Sequence, residues 1–96
     1  MRAALYKQVG SIENVVIEEV ASPVPAAGQV AVSVKSVGIA FPDVLLVQGK
    51  YQVKFDPPFS PGFEFAGVVK SVGEGVSGFK PGDTVLGRGY QCAREE

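Results

Sequence analysis

Twelve glycines and seven prolines are scattered through 96 residues, and that scatter confines the chain to short elements. Neither residue collects in one linker. Each ends or bends regular structure where it falls, so the intervening runs hold only a few residues. Several of those runs are β-branched, which predicts β-structure with many turns.

Taken in order, Arg2 to Lys7 reads as a first strand and Val15 to Val20 as a second. Ser22-Pro23-Val24-Pro25 is extended, because proline fixes its own φ and restricts the residue before it. From Gly28 onward Val30, Val32 and Val34 alternate with Ala31, Ser33 and Lys35, which predicts a strand with one buried face. The phase breaks at Ser36-Val37, where a bulge or bend is expected. Phe41 to Gly49 predicts about two turns of helix: Pro42 suits the first helical position, Asp43 the positive pole and Gly49 a left-handed stop. Lys50 to Pro61 is a loop with three prolines. Phe63 to Val72 is apolar on both faces, as in a strand covered on both sides. Gly73-Glu74-Gly75 turns the chain, Lys80-Pro81-Gly82-Asp83 fits a type II turn, and Thr84-Val85-Leu86 opens another strand. Gly87 to Glu96 is a polar tail without pattern. About five short strands and one small helix point to an all-β, partly open β-barrel.

Composition excludes several classes of function. Nine basic and ten acidic residues leave a net charge of −1, which offers no attraction for nucleic acid or an anionic membrane. There is no histidine and a single cysteine, Cys92, so an internal disulfide, a zinc or iron–sulfur site built from this chain, and a Ser-His or Cys-His pair are all excluded. Cys92 itself is expected to be inert. No apolar run reaches membrane-spanning length, and Met1 to Lys7 lacks the features of a signal peptide, so a reducing cytoplasm is the expected setting.

Three stretches carry a family likeness: Ser36-Val37-Gly38-Ile39-Ala40-Phe41-Pro42-Asp43, then Pro61-Gly62-Phe63-Glu64-Phe65-Ala66-Gly67-Val68-Val69, then Val72-Gly73-Glu74-Gly75-Val76 with Phe79-Lys80-Pro81-Gly82-Asp83-Thr84-Val85. In this order and spacing they resemble the GroES-like catalytic domain of the medium-chain dehydrogenase/reductase superfamily. Within it the likeness is greatest to the NADPH-dependent quinone oxidoreductases, and it extends to about Gly87. The resemblance implies a GroES-like barrel and hydride transfer from NADPH to a quinone or an activated alkene. The zinc-binding alcohol dehydrogenases place a cysteine ligand at Ala40 and a histidine ligand at Phe63, so the likeness implies a zinc-free branch.

That branch places an asparagine at Ala40, near the nicotinamide, and pocket tyrosines at Leu45 and Tyr51. The resemblance thus marks Tyr51 and Ala40 as the catalytic positions and Phe41, Leu45 and Tyr51 as the substrate pocket. Only Ala40 would touch the cofactor, at its nicotinamide end. Asp43 is expected to stabilise the helix end, and Glu64 to be a buried structural acceptor with a partner. Phe41, Phe63 and Phe65 are expected to be core or interface packing. The family binds NADPH on a separate Rossmann domain whose glycine fingerprint opens a helix. The Gly-x-Gly-x-x-Gly spacing does occur at Gly73, Gly75 and Gly78, but Val76-Ser77-Gly78-Phe79 does not open a helix. The chain is therefore expected to be one GroES-like domain over residues 1–96, truncated near 87–96, with the Rossmann domain absent and no tight NADPH binding.

A different class of function is a stand-alone binding or assembly module, since a fold name does not carry a function. A co-chaperonin would need a flexible apolar loop, and the proline-stiffened Lys50–Pro61 loop suits that poorly. In either case the domain interface, expected around Leu45, Leu46 and the loop to Tyr51, would be left open and would favour self-association.

Overall fold

A computed structural model describes residues 1–96. Strand β1 (Arg2–Tyr6) pairs antiparallel with β2 (Val15–Glu19), from Arg2 opposite Glu19 to Tyr6 opposite Val15. A single 3-10 turn at Ile12–Asn14 joins them, started by Ser11, whose Oγ accepts the Glu13 N–H at 3.2 Å. A second antiparallel sheet has the order β3 (Val30–Gly38), β4 (Glu64–Val72), β5 (Thr84–Arg88). Helix α1 (Phe41–Val47) lies between β3 and β4 in the chain. The protein is thus mostly β with one short helix, as the sequence predicts.

Local chemistry explains these boundaries. Gly49 follows α1 at φ +74°, and the Lys50 N–H returns to the Leu45 carbonyl at 2.8 Å, closing the last turn in a conformation that glycine adopts freely. Gly82 sits at φ +97° in the predicted type II turn, with Asp83 N–H bonded to the Lys80 carbonyl at 3.1 Å. The register of β3 on β4 slips between Ala31 and Val32 and again between Val34 and Ser36, the second slip falling where the pattern breaks.

Two burial expectations are corrected. In β3 only Ala31 is buried, while Val30, Val32 and Val34 are half-buried. The cause is a cleft of about 260 Å³ between these valines, Phe65 and the Pro23–Pro25 segment, so the barrel interior is open on that side. In β4 only Gly67 and Val69 are buried, because no second layer covers the outer face of the three-stranded sheet. Of the three phenylalanines expected in core or interface packing, Phe63 packs against the core and Phe65 is half-buried, while Phe41 is 70% exposed and lies outside the core.

The core is small. Tyr6, Leu46, Val47 and Phe59 form its centre, with Tyr51, Phe55 and Phe63 packed around it. Helix α1 presents Asp43, Leu46 and Val47 inward, positions one turn apart on the same face. Leu46 is 3% exposed, and Leu45 and Tyr51 are half-buried, so these three residues do not form the open apolar patch expected of them. Apolar side chains are instead exposed at Ile39, Phe41 and Leu86, the last at 85%.

The polar tail holds the two sheets together. Ala93 accepts the Ala4 N–H at 3.0 Å, Glu95 donates its N–H to Arg2 at 3.1 Å, and the Glu95 carbonyl accepts the Val34 N–H at 2.8 Å. Cys92 and Ala93 also donate to the Gly62 and Pro61 carbonyls, at 3.1 and 2.8 Å. Residues 92–95 therefore run between β1 and β3 as a seam. All these bonds are between backbone groups, which any residue carries, so the side-chain pattern gives no sign of them.

Candidate functional site

The N-terminal end of α1 is tied to the start of β4 by one carboxylate. Asp43 is 2% exposed, and its two oxygens accept the N–H of Ala40 and the N–H of Gly62, each at 2.8 Å. Ala40 occupies the N-cap position with extended backbone, and its methyl group makes no capping bond. The buried charge of Asp43 acts on its surroundings. Burial, seconded by that charge, pushes the Tyr6 hydroxyl and the Cys92 thiol above their ordinary values.

Immediately after Gly62 the chain enters an aromatic cluster. Phe63 meets Tyr51 edge-on at 6.0 Å between ring centres, and Tyr90 edge-on at 5.2 Å. Tyr90 meets Phe55 at 5.3 Å, Phe55 meets Phe59 at 6.3 Å, and Phe59 stacks on Tyr6 at 5.9 Å. Six rings thus run in series from the buried core to the surface. At the outer end Tyr51, Phe63, Arg88, Gly89 and Tyr90 line a cleft of about 270 Å³. The Gly89 N–H bonds to the Phe63 carbonyl at 2.8 Å and fixes that wall to β4.

Of the catalytic and pocket positions singled out from sequence, only Tyr51 lines this cleft, where it meets Phe63, a residue expected only to pack. Ala40, Phe41 and Leu45 lie on or beside α1 and do not line it; Ala40 reaches it only through Asp43 and Gly62. Glu64 corrects the expectation of a buried, paired carboxylate. It is exposed and makes no hydrogen bond or ion pair, because as the first residue of β4 it points to the uncovered outer face. There, opposite Arg88 in register, it lines a separate shallow cleft with Ser36 and Leu86. Sequence reasoning passed over Arg88 and Tyr90. Their signal was a cation and an aromatic set among glycines at a strand end, in Gly87-Arg88-Gly89-Tyr90. No group of three or more His, Cys, Asp or Glu side chains is placed to hold a metal ion, and no helix is long and apolar enough to cross a membrane.

Two small antiparallel sheets closed by a backbone seam, with one short helix and an aromatic cleft at the mouth, define a GroES-like open barrel. Residues 26–96 match the alcohol dehydrogenase GroES-like domain, and the chain belongs to that family. "Quinone oxidoreductase-like protein 2" of Bos taurus is 45% identical over 99% of this chain and 27% of its own length. Among solved structures, a probable oxidoreductase from Mycobacterium abscessus superposes with a TM-score of 0.89 at 41% identity, covering 98% of this chain and 30% of the other. The mycobacterial protein Rv1454c, solved in complex with NADPH, superposes with a TM-score of 0.85 at 25% identity, over 99% of this chain and 30% of its own. The chain therefore spans between a quarter and a third of the length of these relatives.

Proposed function

We propose that this chain is the acceptor-binding, N-terminal part of a zinc-free, NADPH-dependent oxidoreductase acting on quinones or activated alkenes. The observation that carries the reading is the cleft of Tyr51, Phe63 and Tyr90, an aromatic surface suited to a planar acceptor. The quinone oxidoreductase name of the bovine relative and the NADPH complex of the mycobacterial one support it.

The residues present do not fit the phosphate-bearing half of NADPH. Gly73, Gly75 and Gly78 lie in a turn and a bend with no helix after them, and α1 has only seven residues. In this reading the cofactor sits on a Rossmann domain outside residues 1–96 and supplies the hydride. This chain's own part is to hold the acceptor flat against its rings and shield it from water, while Asp43 keeps the Ala40 turn fixed beside it. Ala40 and Phe63, which cannot ligate a metal, stand where the related zinc dehydrogenases carry their ligands; this supports a metal-free site, and a reducing cytoplasm is part of the same reading. The exposed Ile39, Phe41 and Leu86 support self-association of the isolated chain.

The test is a pair of assays. Joining the remainder of a quinone oxidoreductase relative after Glu96, so that the seam and the whole cleft are kept, is expected to give saturable, quinone-dependent NADPH oxidation. The 96-residue chain alone is expected to give none above a heat-killed control. A joined protein that folds, binds NADPH and reduces neither quinones nor enones would overturn the reading.

A further inference from the structure

Arg88 stands at the end of β5 between two clefts, lining both the aromatic one and the one that holds Glu64. Although Glu64 is its neighbour in register, no carboxylate oxygen lies within ion-pairing distance of its guanidinium, and it makes no side-chain hydrogen bond. Arg94, by contrast, is tied to Ser60 and Gln91, and Arg2 to Glu95. Arg88 is therefore an arginine with all its donors free, set at the rim of a cleft walled by Tyr51, Phe63 and Tyr90.

We infer that Arg88, Tyr51 and Tyr90 form a binding site for a planar conjugated carbonyl compound, with the rings holding the ligand's face and the Arg88 guanidinium donating to its oxygen. The inference rests on the proposed function and deepens it by naming the group that selects for the oxygen. The chemistry of the site is complementary to such a ligand. Phe63 forms the base, with Tyr51 and Tyr90 both edge-on to it, so the walls present π-surface to a flat ring. A volume of about 270 Å³ admits a mono- or bicyclic molecule and little more. A planar guanidinium offers a fork of donors to one oxygen and is weakly hydrated, so it gives up water at modest cost. A charge-assisted hydrogen bond of this kind separates a carbonyl compound from a hydrocarbon of the same shape by roughly ten-fold or more in affinity.

The experiment uses the 96-residue chain and two probes of the same shape. Tetramethyl-1,4-benzoquinone carries the carbonyl oxygens and is fully substituted, so it resists addition of the Cys92 thiol; 1,2,4,5-tetramethylbenzene lacks the oxygens. In backbone-amide NMR titrations the quinone is expected to shift Phe63, Arg88, Gly89 and Tyr90. Arg88→Met keeps the aliphatic stem and removes the donors. It is expected to weaken quinone binding about ten-fold and to leave the hydrocarbon unchanged, whereas Tyr90→Leu weakens both. Shifts centred on the Pro23–Val34 cleft, or quinone affinity unaltered by Arg88→Met, would overturn the assignment. The joined enzyme separates the two claims. Turnover with an unchanged KM for the quinone in Arg88→Met removes the Arg88 site and leaves the oxidoreductase reading standing. A joined enzyme without turnover, on a chain that binds the quinone as described, removes the oxidoreductase reading and leaves the site.

Discussion

Arg2 and Glu95 are 93 positions apart, yet Glu95 accepts the Arg2 backbone N–H at 2.6 Å and the guanidinium at 2.8 and 2.9 Å. One acidic residue thus completes the outer end of β1 and the seam together. The neighbouring Glu96 does the same for β4 and the Ser22 segment, through Lys70 and Ser22.

These two pairings give the seam a pH dependence. The Arg2 backbone N–H, then its side chain, holds the Glu95 carboxyl below the usual range; hydrogen bonds from Lys70 and Ser22 do so for Glu96. A depressed carboxylate contributes stability above its unfolded value of about 4.3 and loses it as pH falls through the lower folded value. The protection of the Ala4 and Val34 amides against exchange, relative to the intrinsic rate at each pH, should therefore fall below about pH 4. Glu95→Gln should raise exchange at neutral pH and flatten that acid response. Glu95 is exposed at the surface, so molar salt should reproduce part of the effect there.

Asp43 should be the most sensitive polar position. Asp43→Ala strands two N–H groups, one of them buried, and should cost about 2–4 kcal/mol in urea unfolding. Asp43→Asn keeps one acceptor oxygen and should lose less.

Ala40→Asn should act twice. Ala40 is an N-cap with extended backbone and no capping side chain, so an asparagine there can accept an N–H of the first turn. The isolated chain should gain about 1 kcal/mol, or roughly 4–8 °C in Tm. In the joined enzyme the same variant should raise kcat for quinone reduction if the amide serves the nicotinamide end. A gain in Tm without a gain in kcat would confine Ala40 to a structural role.

Gly67 in β4 has no room for a side chain. A Cβ there would meet the Ser33 carbonyl, which β3 cannot move, and Val32 Cγ1 at 2.8 Å. Gly67→Ala should cost about 1–3 kcal/mol, read from the unfolding midpoint. Gly75→Ala supplies the contrast: nothing lies within 4 Å of the added carbon, and its φ of +80° leaves backbone strain as the sole penalty.

The Cys92 thiol should be unreactive at neutral pH. Burial raises it first and the charge of Asp43 second, so the thiolate fraction is small. Alkylation by iodoacetamide at pH 7.5 should run slower than for a free thiol such as glutathione; a rate equal to or above that of glutathione would contradict this.

The elements that could be read from the chain were those written in local chemistry. Pro42, Asp43 and Gly49 mark α1, Pro81-Gly82 marks a turn, and the alternating valines mark β3. Burial was harder to read, because apolar residues on both faces of β4 say nothing about whether a second layer exists to cover them. Of the site, Tyr51 came from the family likeness. Arg88 and Tyr90 escaped because their meeting with Phe63 depends on the β4–β5 register, which the sequence does not display. Glu64 was misjudged for a related reason: its polarity was legible, but the direction it faces depends on where β4 begins.

The seam also sets the order in which this chain can become native. Each sheet draws its strands from one part of the sequence, so both can pair early. The bonds from Ala93 and Glu95 to β1 and β3 close loops of roughly the whole chain length, and their entropic cost falls before any return. On a ribosome, β1 and β2 emerge before residues 92–95, so the Arg2–Ala4 stretch of the β1 edge stays uncovered until those residues arrive, although Phe59 pairs with Tyr6 sooner. During that interval β1 offers unpaired backbone groups to any neighbour, which makes slow synthesis or crowding of nascent copies the chain's period of greatest exposure to misassembly.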